Sequence, residues 1–217
     1  MKNILLIGLG RFGSYTAKKL YELDAQVMAV DTNEEKVNAV LSYVTGAQIG
    51  DGRNIEFLRS LGVRDYDTCI VAIGDSFLAS LETTSNLKEL GAQKIIARAT
   101  SHSQEKFLLR NGADEVIFPE KQLAVWTAIR CSSDHISNYI DLSDGYAIYE
   151  VDVPALWAGK TLREINIRRR FRLNILGLRS NGEMQAALEP DMPLPAEARI
   201  LVLGREEDIE NCFHLRK

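Results

Sequence analysis

The feature that most constrains this chain is its first thirty-one residues, MKNILLIGLGRFGSYTAKKLYELDAQVMAVD. An apolar run, Ile4-Leu5-Leu6-Ile7, leads into three glycines, Gly8, Gly10 and Gly13, in G-x-G-x-x-G spacing. A helical pattern follows, and a second apolar run, Val27-Met28-Ala29-Val30, ends in Asp31. Strand, tight turn, helix, strand and acid, in that order, are the sequence form of a dinucleotide-binding β-α-β unit. Gly8 allows the turn, Gly10 lets phosphates approach the backbone, and Gly13 lets the helix pack on the strand. Phosphate then rests on the positive end of the helix. The alternative is a Rossmann-like domain that has lost its ligand.

The rest of the first half keeps this rhythm. Strands are expected at 2–7, 26–30, 45–50, 68–73, 94–98 and 115–118. Helices are expected at 12–23, from Asn33, and at 54–61, 77–90 and 103–111, with Gly62, Gly91 and Gly112 as C-terminal stops. Strands separated by helices predict a Rossmann-like, doubly wound parallel sheet covered on both faces. Pro119 breaks the rhythm, and residues 120–137 read as one helix leading out of the domain. After it the texture changes. Tyr146 to Val153 alternates like a half-buried antiparallel strand, and further strands are expected at 174–179, 184–188 and 199–203, with Ser180-Asn181-Gly182 as a turn. Short helices are expected at 162–165 and 206–213, and Pro190, Pro193 and Pro195 mark a loop. The expected division is a nucleotide-binding domain at 1–118, a linker helix at 119–138 and a small α+β domain at 139–217, one suited to dimerisation.

Composition narrows the function. With 46% hydrophobic and 26% charged residues, the chain has the make-up of an ordinary globular protein. No apolar run approaches the ~18 residues that span a bilayer, and the N-terminus lacks a signal-peptide design, so a cytoplasmic protein is expected. The net charge of −4 argues against nucleic-acid binding. Cys69, Cys131 and Cys212 form no C-x-x-C pair, which disfavours a metal or disulfide framework.

The candidate site residues follow from position. Asp31, ending the second strand, would accept hydrogen bonds from ribose hydroxyls and repel a 2′-phosphate; it could also cap the following helix. Asp51 and Gly52, after the third strand, and Ala72, Ile73 and Gly74, after the fourth, fall on the same carboxyl edge of the sheet, near the adenosine. Arg98, at the end of the fifth strand, lies on that edge too, with an ion pair to Asp51 or Asp75 as its alternative role. Arg11 is the informative departure. It stands at the helix start, where a third phosphate would lie, and an arginine there suits ATP better than a dinucleotide. A solvated surface arginine is the other reading. An oxidoreductase needs an acid or base beside its cofactor. His102, His135 and His214 stand in no recognisable catalytic setting, and the second domain is small for a substrate domain. A non-enzymatic nucleotide sensor is therefore expected, with an NAD-dependent oxidoreductase as its first rival. A transcription factor that senses NADH is the second, although no helix-turn-helix is evident.

The motifs GLGRFG, AVDTNEEKV, GDGRN, VAIGD, GADEVIFPEK and NYIDLSD, in this order, resemble those of the cytosolic regulatory subunits of bacterial potassium uptake systems. These are TrkA/KtrA-type proteins built from an RCK N-terminal and an RCK C-terminal domain. The resemblance spans essentially the whole chain. It implies an octameric ring made from dimers, peripheral to the inner face of the membrane and docked on an integral-membrane potassium-translocating subunit. ATP and ADP would bind the N-terminal domains and hold the ring in different shapes, with NAD(H) binding in some members. Phe12, within GLGRFG, and Thr32, beside Asp31, fall among the implied nucleotide-binding residues, and Arg11 would meet the terminal phosphates. Glu120, in FPEK, matches a glutamate that helps bind a divalent cation, magnesium or calcium, in similar proteins; a helix-start acid is its ordinary role. Some relatives bind cyclic di-AMP in the C-terminal domain. The segment Glu164 to Arg168 is similar there, but the basic run Arg168-Arg169-Arg170-Phe171-Arg172 departs from the pattern.

Overall fold

The computed structural model describes residues 1–215. The chain divides into two compact units, Met1–Lys121 and the residues from Gln122 onward.

The first unit alternates β1 (Asn3–Ile7), α1 (Arg11–Glu22), β2 (Gln26–Asp31), α2 (Glu34–Val40), β3 (Gly46–Ile49), α3 (Ile55–Ser60), β4 (Thr68–Val71), α4 (Phe77–Glu89), β5 (Ile95–Arg98), α5 (His102–Arg110) and β6 (Glu115–Ile117). The six strands are parallel, in the order β3-β2-β1-β4-β5-β6. Side chains alternate faces along a strand, and both faces are buried. Ile4 and Leu6 of β1 join a layer with Ala17 of α1 and Val37 and Val40 of α2. Leu5 and Ile7 join the opposite layer with Leu58 of α3, Leu87 of α4 and Leu108 of α5. This is why the strands read as continuous apolar runs. Helix starts follow local chemistry: the side chains of Asn33, Asn54, Ser76 and Ser101 accept first-turn N–H groups of α2, α3, α4 and α5.

Helix α6 (Pro119–Ser132) opens on a proline at its first position, where no N–H is needed. It stops at Ser132, not near Ser137. Residues expected in its last turn begin a strand, β7 (Ile136–Asp141). The cause is a bulge: the β7–β8 register shifts between Ile136 and Asn138, so Ile136 and Tyr139 both face the core three residues apart. A bulge therefore imitates helical spacing.

The second unit continues with β8 (Tyr146–Asp152), α7 (Leu162–Ile165), α8 (Ile167–Phe171), β9 (Asn174–Ser180), β10 (Glu183–Gln185), β11 (Arg199–Arg205) and α9 (Glu206–Phe213). Its antiparallel sheet has the order β10-β9-β11-β8-β7. The strand expected at 184–188 is only Glu183–Gln185. Helix α8, which holds most of the basic run Arg168–Arg172, is one short turn anchored by buried Ile167. Trp157, Leu173, Leu194, Ile200 and Ile209 lie in this unit's core.

Candidate functional site

The chain leaves β1 toward β2 on one side and returns to β4 on the other. The carboxyl ends of β1 and β4 therefore flank the switch point, where open α/β sheets bind ligands. Backbone bonds draw these ends together: Gly8 donates to the Val30 carbonyl (2.8 Å), Ala72 to that of Ile7 (2.7 Å) and Gly50 to that of Asp31 (3.0 Å).

A cleft of ≈ 600 Å³ opens there. Its walls include Gly8, Gly10, Arg11, Asp31 and Thr32 from the opening β-α-β unit. Asp51 and Gly52 follow β3, Ala72, Ile73 and Gly74 follow β4, and Arg98 ends β5; all line the same cleft. Phe12 and Gly13, also expected at the site, do not line it. Gly13 packs so closely on the Gly8 carbonyl that a Cβ would overlap it. Gly8 has φ +99°, and a Cβ there would stand 2.9 Å from the Ile73 nitrogen, so the turn admits only glycine without strain. A Cβ at Gly10 would meet nothing within 4 Å; the backbone at that point faces open space. Phe12 lies beneath the Arg98 guanidinium, 5.9 Å from its ring centroid.

The polar chemistry is mixed. Asp31 is 8% exposed. Its Oδ2 accepts the Leu9 N–H (2.7 Å) and its Oδ1 the Asn33 N–H (2.9 Å), which fixes the carboxylate on the cleft wall. The side-chain cap of α2 falls to Asn33, not Asp31. Lys36, a cleft residue that sequence reading missed, stands 3.9 Å from Asp31. Arg53, also missed, grips Asp51 through Nε and Nη2 at 2.6–3.1 Å. These hydrogen bonds hold the Asp51 carboxyl below the ordinary aspartate range. The available signal was local: Arg53 follows Gly52 directly, and Lys36 lies in the first turn of the helix after Asp31.

Arg98 does not pair with either aspartate. Its Nη2 donates to Glu120, the second residue of α6. Burial pushes the Glu120 carboxyl up, but its own backbone N–H, the Arg98 guanidinium and the more distant charge of Arg11 outweigh this and hold it below the usual glutamate range. Arg11 is exposed at the first position of α1. Helix α1 differs from the four that follow it in its N-cap, Gly10, which offers no side-chain acceptor, and like α4 it holds no acid in its first turn. Its terminal N–H groups and its dipole are thus left for an anion.

None of the three histidines lines this cleft. His102 faces Glu105 at 3.3 Å, and His135 faces Asp152 in the second unit at 3.1 Å. Among the described residues, no three His, Cys, Asp or Glu side chains are grouped to hold a metal ion, so Glu120 belongs to no such group. In the second unit, Glu164 closes a capping box with Thr161. Ile165 and Ile167 are buried, and Arg168, Arg169, Arg170 and Arg172 are exposed. No helix of the described residues is long and apolar enough to cross a membrane.

Comparison with known proteins agrees with this architecture. Residues 4–119 match the TrkA-N domain and residues 146–214 the TrkA-C domain. The chain is 37% identical to the Ktr system potassium uptake protein A of Bacillus subtilis (strain 168), over 96% of this chain and 94% of that protein. It is 30% identical to the Ktr system potassium uptake protein A of Vibrio alginolyticus, over 97% and 96% of the two chains. Among solved structures it resembles a GsuK channel bound to NAD (TM-score 0.69, 20% identity) and GsuK bound to ADP (TM-score 0.54, 16% identity). The matches cover 99% and 62% of this chain but only 39% and 35% of the GsuK chains, so it spans well under half their length. The chain belongs to the TrkA-N family, with a TrkA-C domain following in the same polypeptide.

Proposed function

We propose that this chain is a nucleotide-responsive regulatory subunit of a potassium uptake system, acting from the cytoplasmic face on an integral-membrane partner. The observation that carries the reading is the cleft at the switch point, where an uncapped helix terminus and Arg11 face the same opening. The names of the Ktr relatives, which are those of potassium uptake proteins, support the physiological side.

ATP and ADP are the proposed ligands. The backbone of Gly8 to Gly13 and the α1 terminus would hold the first phosphates, and Arg11 would meet the third. Asp31, with both oxygens anchored on backbone N–H groups, would present its remaining lone pairs to the ribose. Asp51 and Gly52 would flank the adenosine. NAD(H) suits the same glycine turn but leaves Arg11 without a third phosphate. A divalent cation would reconcile Glu120 with nearby phosphates, because like charges otherwise repel.

The proposed mechanism is differential binding. Copies of the chain form a ring, and ATP and ADP shift its shape only insofar as they bind two shapes unequally. Titration calorimetry with ATP, ADP and NADH, with and without magnesium or calcium, tests this. Binding of both adenine nucleotides, with ATP preferred, is the expected result; cyclic di-AMP serves as a control for the second domain. Binding of NADH alone, with turnover of a carbonyl or alcohol, would replace this reading with the oxidoreductase.

A further inference from the structure

Arg98 is a candidate site residue that lines the cleft but has no part in the proposed hold on the nucleotide. It is the last residue of β5, paired in register with Ile117 of β6. Glu120 follows three residues later, in the first turn of α6. Arg98 therefore joins two places: it lines the cleft, and its Nη2 holds Glu120. The rest of its guanidinium is tightly placed. It lies over the Phe12 ring, and Nη1 fills the room left by Gly74, where a Cβ would overlap it. Its Nε is buried without a hydrogen-bond partner. A buried orphaned donor on a cation is a costly arrangement, and a movement of the guanidinium toward an anion in the cleft would relieve it.

We propose that Arg98 is a shared arm, held by Glu120 as in this structure and taken over by the phosphates of a ligand in the cleft, so that occupancy loosens the first turn of α6. This rests on the nucleotide reading above and deepens it. Arg98 and a divalent cation become alternative partners of Glu120: while Arg98 holds the carboxylate, no cation is needed there, and when phosphates draw Arg98 away, the freed carboxylate gains an affinity for one. Since α6 carries the chain from the first unit into the second, the coupling starts at the junction through which a signal must leave the nucleotide-binding unit.

The test uses the full chain in EDTA and follows two quantities: ATP affinity by calorimetry, and hydrogen exchange of the amides of residues 123–126, which close the first turns of α6. Glu120→Gln is expected to bind ATP roughly two- to fivefold more tightly, the range of a partly exposed ion pair. That gain is expected to vanish in an Arg98→Gln background. ATP is expected to speed exchange at 123–126 in the unmodified chain but not in Glu120→Gln, where exchange is already fast. A gain that persists undiminished beside Arg98→Gln means simple repulsion between Glu120 and phosphate, and overturns the shared arm. So does ATP binding with no change in exchange. If no nucleotide binds the unmodified chain, the reading of the cleft fails, and the link to α6 is judged by Arg98→Gln without ligand: faster exchange upholds it and unchanged exchange overturns it. Should Arg98→Gln fail to fold, Arg98→Lys, which keeps the charge but not the fork, completes the same cycle.

Discussion

In the first unit all six strands run the same way, so every strand ends on the same edge of the sheet. Asp31, Ala72 and Arg98 stand at or just past three such ends, and they meet in one cleft although they are far apart in sequence. In the second unit neighbouring strands alternate in direction, and its polar groups are dispersed. Glu150, buried on β8, accepts from Arg179 Nε at 2.7 Å. Asp152, the last residue of β8, takes Arg199 and His135, each at 3.1 Å. Arg163 of α7 pairs with Asp191 in a loop. These contacts stitch strands and loops together without converging on an opening. The contrast shows how strand direction alone decides whether side chains at strand ends concentrate into a site or spread as staples.

Substitutions can break or sharpen this contrast. The largest effect is expected from Ile200→Ala in the core of the second unit, where the side chain is fully buried. It should cost about 2–5 kcal/mol in a denaturant titration and leave nucleotide affinity unchanged. Lost binding would mean that the site depends on both units. Gly8→Ala acts in the other unit. Its positive φ and the close Ile73 backbone should cost about 1–3 kcal/mol and lower affinity for every nucleotide at least ~tenfold, about 1.4 kcal/mol. Arg11→Ala should leave the melting temperature nearly unchanged, keep ADP binding and remove most of the preference for ATP. Equal loss of both affinities would remove Arg11 from the role of counting phosphates.

Two smaller effects concern pH. In the second unit, burial and the hydrogen bond to Glu206 push the Tyr139 hydroxyl well above the ordinary tyrosine range. Its neutral form is favoured in the fold, so this stability is complete below about pH 10, where unfolded tyrosine titrates, and fades as pH rises toward the folded value. Tyr139→Phe should flatten the alkaline limb of the melting-temperature profile. In the first unit, Asp51 is shifted down by Arg53. Its contribution is present above about pH 4 and is lost as pH falls through the lowered value. Arg53→Ala should therefore shallow the acid limb slightly. Because the Asp51–Arg53 pair is exposed, the change is expected to be the smallest of the five.

Much of the first unit was legible before any coordinates. The apolar runs of β1, β2 and β4 and the glycine spacing are local signals, each set by burial or backbone chemistry within a few residues. They were enough to bring Gly8, Arg11, Asp31, Gly52, Ile73 and Arg98 to one edge on paper. The second unit was harder because its signals are mutual. The bulge that places Ile136 and Tyr139 on one face exists only in pairing with β8, and the order β10-β9-β11-β8-β7 is written in no single strand.

By itself, then, the sequence determined the parallel sheet, its phosphate-shaped turn and the families of residues on its carboxyl edge, because periodicity and glycine geometry act over short distances. Only the tertiary structure decided which charges meet. Arg53 closes on Asp51 and Lys36 approaches Asp31, whereas Arg98 turns away from both aspartates toward Glu120. Salt-bridge partners are chosen by a few ångströms of side-chain reach, and that distance is set by packing across β5, β6 and the first turn of α6, beyond the range of any local pattern.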